Sequence, residues 1–100
     1  MLFVSGQIAI KKSTGQMVLG NIEEETVQVM ANVSAILNAA GVDFSNVVKT
    51  SIFLKDMSNF PKVNEIYGRY FKDNPPARET VEVSRLPKDV NVEISCIAVK

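Results

Sequence analysis

The stretch from Val47 to Ser84 does most to limit the folds open to this chain, because it reads strand, helix, strand without interruption. Val47 to Lys55 alternates, placing Val48, Thr50, Ile52 and Leu54 on one face and Lys49, Ser51, Phe53 and Lys55 on the other. Ser58 or Asn59 is placed to cap a helix that tolerates Pro61 in its first turn. Val63, Ile66, Tyr67, Tyr70 and Phe71 then fall at helical spacing, and Asn74-Pro75-Pro76 ends the helix. A strand follows at roughly Arg78 to Ser84. Such a unit predicts two parallel strands joined by a right-handed crossover.

The flanking segments supply the other elements. Leu2 to Ile10 alternates around Gly6 and reads as a strand with a break or bulge, followed by a turn at Lys12-Ser13-Thr14-Gly15. Asn21 to Ala40 reads as a helix. Asn21 is its cap, Glu24 the capping-box partner, and the first turn is acidic, as the helix dipole favours. Met30, Val33 and Leu37, with Val29, Ile36 and Ala40, form its apolar stripe, and Gly41 supplies the left-handed residue that stops it. Val92 to Val99 reads as the last strand. No repeat, linker or low-complexity segment divides residues 1–100, which predicts a single domain.

Charge and cysteine use exclude several functions. Lys and Arg total 11, as do Asp and Glu, and there is no histidine. A nucleic-acid binder needs excess basic side chains to displace phosphate counterions, so no nucleic-acid partner is expected. Lys11-Lys12 is the only adjacent basic pair, too little for a membrane surface, and no run reaches transmembrane length. A neutral surface favours self-association. Cys96 is alone, which fits a reducing, cytoplasmic setting. With no histidine and one cysteine, neither a zinc site nor any other metal or cofactor is expected.

The residues that could carry chemistry lie near the end. Arg78, Thr80 and Glu82 share one strand face, opposite Glu79, Val81 and Val83; Glu93, Ser95, Ile97 and Val99 share a face opposite Val92, Ile94, Cys96 and Ala98. Arg78 and Glu93 allow two readings. They are an ion pair at a surface or interface, or they are a carboxylate grip and a group that orients water and moves protons. Cys96, among Val, Ile and Ala, reads as a small buried hydrophobe. Tyr67, Tyr70 and Phe71 read as helix packing. Ser5-Gly6 is either a plain bulge or a pocket floor that a ligand can approach closely.

With these residues in view, the chain resembles the reactive intermediate deaminase (Rid) family. The matching pieces are Val4-Ser5-Gly6-Gln7, Ala39-Ala40-Gly41, Val48-Lys49-Thr50, Phe53-Leu54-Lys55-Asp56 and Val63-Asn64. They continue with Pro76-Ala77-Arg78, Val81-Glu82-Val83, Leu86-Pro87-Lys88 and Val92-Glu93-Ile94. The resemblance implies an α+β, chorismate-mutase-like fold: a mixed sheet with two helices on one face and the last strand beside the Val47 strand. It also implies a homotrimer with clefts between subunits. Members usually carry a further first strand with a cleft tyrosine, whereas Met1 here begins inside the second strand. Position 79, usually small or apolar, is Glu79, and position 80, cysteine in some members, is Thr80.

The resemblance further implies hydrolysis of 2-imino and enamine acids to 2-keto acids and ammonia. Arg78 would hold the substrate carboxylate and Glu93 would position water and return a proton to nitrogen. Ser5 and Gly6 would line the cleft, and backbone groups at Thr80 would touch substrate. Two alternatives are a non-catalytic trimer that binds a small carboxylate as a regulatory signal, and a ribonuclease or translation inhibitor. Neutral charge and missing histidine weigh against the second.

Overall fold

The computed structural model describes all of residues 1–100. Four strands and two helices are built from β1 (Leu2–Gln7), α1 (Ile22–Ala39), β2 (Val47–Leu54), α2 (Phe60–Gly68), β3 (Ala77–Glu82) and β4 (Val92–Ala98). The sheet order is β1-β4-β2-β3. β2 and β3 are parallel, as the strand–helix–strand reading predicts. β4 lies between β1 and β2 and is antiparallel to both. The Arg85 to Asn91 link is therefore a crossing connection, not a hairpin.

Both helices cover one face of the sheet. Val92, Ile94, Cys96 and Ala98 point into that layer and are buried, with Thr50, Ile52 and Leu54 of β2 beside them. Val29, Met30, Val63 and Tyr67 close over Ile52, Leu54, Val92 and Ile94 in one cluster. A second cluster gathers Val4, Val33, Leu37, Val47, Cys96 and Ala98. Glu93, Ser95 and Ile97, the alternate residues of β4, face the side that no helix covers. On that open face Phe3 is 70% exposed.

Local chemistry explains the element ends. Asn21 Oδ1 accepts from the Glu24 N–H at 2.8 Å, but Glu24 makes no return bond, so the cap of α1 is one-sided. At the other end Gly41 has φ +79°, its N–H donates to Asn38 O, and the Val42 N–H donates to Leu37 O. That pair of bonds is a Schellman ending, in which glycine avoids a Cβ clash. Ala40, expected in the apolar stripe, is exposed. The stripe instead shares its face with Glu25, Thr26 and Asn32, which are buried.

Four expectations need correction. β1 stops at Gln7, after an irregularity in register between Val4 and Gln7, and Ile10 instead bridges Met17 across the predicted turn. Tyr70 and Phe71 lie beyond α2 and pack their rings on Phe44, so they extend the core without being helical. A register shift between Val47 and Lys49 turns Val47 inward and leaves Val48 47% exposed, so the alternation of β2 begins only at Lys49. The cap before α2 is Asp56, which accepts from the Ser58 N–H at 2.9 Å and starts a 3-10 turn leading into the helix; Asn59 makes no side-chain cap. Those hydrogen bonds to Ser58 hold the Asp56 carboxyl below its ordinary range.

Candidate active site

Arg78 sits on β3, one of the sheet's two edge strands, opposite Thr50 of β2 and on the helix-covered face. α2 builds a cradle for it. The guanidinium carbon lies 5.1 Å from the Tyr67 ring centroid and 5.4 Å from that of Phe60, both within cation–π range. Nη1 donates to Asn64 Oδ1 at 2.5 Å. Phe60, Asn64 and Tyr67 fall at i, i+4 and i+7, one stripe of the helix. Tyr67 is fixed in turn by a 2.7 Å hydrogen bond with Thr50 Oγ1. Burial pushes the Tyr67 hydroxyl above its ordinary pKa, outweighing the opposing pull of Thr50 and Arg78, so the ring beneath the guanidinium stays uncharged.

Arg78 forms no ion pair within the chain; the four salt bridges join other residues. Its one hydrogen-bond partner is the neutral Asn64, which leaves the other guanidinium N–H groups free for an anion. Thr80, two residues along the same face, carries a buried hydroxyl with no hydrogen-bond partner.

Glu93 lies on the opposite face of the sheet, paired with Phe53 of β2. Its side chain crosses Gly6 so closely that a Cβ there would lie 2.6 Å from Glu93 Cδ. A Cβ at position 6 would therefore push the carboxylate aside from this position. The register of β1 breaks between Val4 and Gln7, so Ser5 and Gly6 form the irregularity at this point. They also line a groove of about 470 Å³ on the open face, together with Phe3, Ser51, Ser95 and Ile97. The side chain of Cys96 points the other way, into the helix layer, and burial pushes its thiol pKa up, which keeps it an unreactive thiol.

The structure thus brings Glu93, Gly6 and Ser5 together, and Arg78 with Thr80, but puts the two groups on opposite faces. Glu79 points away from Arg78 and meets Lys49 at 3.4 Å and Ser51 Oγ at 3.2 Å. Phe60, Asn64 and Tyr67 carry no site role in the sequence reading; their i, i+4, i+7 spacing was the available signal. No three Cys, Asp or Glu side chains converge as a metal site requires. No helix is long and apolar enough to cross a membrane.

A mixed four-stranded sheet under two helices, with an arginine free of any ion pair on an edge strand, makes this an α+β protein. The profile of the Endoribonuclease L-PSP family matches residues 1–100, and the chain belongs to that family. A RutC family protein of Pyrococcus horikoshii is 52% identical over 99% of this chain and 79% of its own length. The human 2-iminobutanoate/2-iminopropanoate deaminase is 48% identical over 99% of this chain and 72% of its own length, which bears out the resemblance to imine deaminases. Among solved structures, Escherichia coli TdcF with bound serine superposes with a TM-score of 0.93 at 37% identity, covering 98% of this chain and 79% of TdcF.

Proposed function

We propose that the chain hydrolyses reactive 2-imino and enamine acids to 2-keto acids and ammonia. The observation that carries this reading is the guanidinium of Arg78, braced by Phe60, Asn64 and Tyr67 yet left without a carboxylate. A planar fork held in this way suits a two-point grip on a substrate carboxylate. The name of the human relative and the serine bound to TdcF support a small amino-acid-like ligand.

In this reading Arg78 of one copy and Glu93 of another face a shared cleft in a homotrimer. Arg78 orients the substrate through its carboxylate. Ser5 and Gly6 line the wall beside Glu93, and backbone groups at Thr80 contact the substrate. Glu93 holds a water against the imine carbon and takes one of its protons as the new C–O bond forms. It passes that proton to nitrogen, which gives a carbinolamine; Glu93 then takes the proton of the new hydroxyl and hands it to the amino nitrogen, so that the C–N bond breaks, ammonia leaves and the keto carbonyl forms. Imines hydrolyse readily unaided, so orientation and one proton shuttle supply the catalysis needed. The exposed Phe3, Val48 and Val81 give the uncovered face the apolar character of an assembly surface.

The serine in TdcF also favours a second reading, in which the same site binds a carboxylate without turnover. One experiment separates the two. Freshly generated 2-iminopropanoate should release ammonia and keto acid faster with the chain than without it, and Arg78→Ala should abolish the difference. Light scattering should give three times the 11.0 kDa chain mass. Keto-acid binding without acceleration selects the binder, and a clean monomer removes the shared cleft.

A further inference from the structure

We propose that Glu25, in α1, is a positioning residue that places Glu93 through the main chain of Asn91 and Val92; this rests on the deaminase reading above. Glu25 is fully buried and takes part in none of the four ion pairs. A buried carboxylate is tolerated only when hydrogen-bonded. All its partners lie at one point. Oε2 accepts from the Asn91 N–H at 2.7 Å and the Val92 N–H at 3.2 Å, and Oε1 accepts from Asn91 Nδ2 at 2.8 Å. From the other side the Lys55 N–H, just past β2, donates to Asn91 O at 3.1 Å. Asn91, the residue just before β4, is thus clamped between α1 and the end of β2.

The clamp is needed because the segment before it is poorly determined by its own chain. Lys88 and Asp89 have φ of +56° and +54°, a left-handed pair containing no glycine. Such backbone persists only where its surroundings hold it. The buried row from Val92 to Ala98 decides which face Glu93 takes. It leaves open how firmly the first residues of β4 are held. Glu93 has no side-chain hydrogen bond of its own within the chain; its carboxylate is located by its backbone and by the close approach over Gly6. Glu25 fixes the two peptides that lead into Val92, the residue before Glu93.

The test compares Glu25→Met with Glu25→Gln. Methionine fills the space but leaves the Asn91 and Val92 N–H groups unpaired. Glutamine can keep both on its carbonyl oxygen, while the Asn91 amide turns to accept from the new N–H. Glu25→Met should lower kcat at least about tenfold and Glu25→Gln less than about threefold, with keto-acid affinity within about twofold of the parent in both. An unchanged kcat in Glu25→Met overturns the proposal. So does a fall in kcat matched by a fall in affinity, which marks Glu25 as a fold-holding residue only. If Glu25→Met does not fold, Asn91→Ala, which deletes one bond of the clamp, must show the same split. If the parent chain does not accelerate imine hydrolysis, the deaminase reading fails separately. The carboxyl carbon and amide NMR signals of Glu93 then decide: a shift in Glu25→Met sustains the positioning role, and unmoved signals overturn it.

Discussion

Glu93→Gln should still bind a keto-acid product with the parent affinity while its turnover falls by about 100-fold or more. Glutamine is nearly isosteric, so it fits the same space over Gly6, where even a Cβ would be too much. It can hydrogen-bond a water but cannot take a proton from it and return one to nitrogen. In the proposed site the carboxylate grip belongs to Arg78, on the other face of the sheet, and is untouched. Steady-state release of ammonia, paired with a pyruvate titration, checks both halves. Undiminished turnover would remove Glu93 from the mechanism while leaving the deaminase assignment in place.

Arg78→Lys should produce the complementary pattern. The charge stays, but the planar fork and its stacking on Tyr67 and Phe60 are lost. An ammonium makes a point contact where the guanidinium makes two parallel bonds. The lost charge-assisted contact is worth about 2–3 kcal/mol, or roughly a hundredfold in affinity. Substrate and product binding should therefore weaken together, and hydrolysis at limiting substrate should fall with them. Isothermal titration with pyruvate beside kcat/KM measures this. Parent-like affinity in Arg78→Lys would mean that the carboxylate is held elsewhere.

Patterns carried by a few neighbouring residues were legible in the sequence. The parallel pairing of β2 with β3 follows from the chain between them, and the end of α1 follows from Gly41. The alternation of β4 was readable because nothing interrupts it. Alternation misled at Val48, since one bulge reverses every inference before it and leaves no mark in the residues themselves. Ser58 and Asp56 are equally good caps by composition; only the observed turn picks Asp56. Residue patterning alone does not place β4 beside β2, because strand neighbours are a long-range choice. That placement came from the family resemblance. Glu25 looked like part of an acidic helix start, yet it faces inward, because its partners lie on a loop 66 residues away. For the candidate site, residue type and position were enough to single out Arg78, Glu93 and Gly6 as candidates. The α2 cradle was missed because aromatic residues at helical spacing usually mean core.

In the proposed homotrimer, the placement of Arg78 and Glu93 on opposite faces of one sheet has a genetic consequence. In a ring where each cleft draws its arginine from one copy and its glutamate from the next, defects at the two positions complement. Chains bearing Arg78→Ala and chains bearing Glu93→Gln would each be inactive alone. Unfolded and refolded together in equal amounts, they would rebuild intact clefts wherever the two kinds meet in the right order, about a quarter of all clefts for random mixing. Each such ring of three would also hold one cleft lacking both groups. A cell carrying one damaged copy of the gene would then lose activity cleft by cleft, in proportion to how the chains mix.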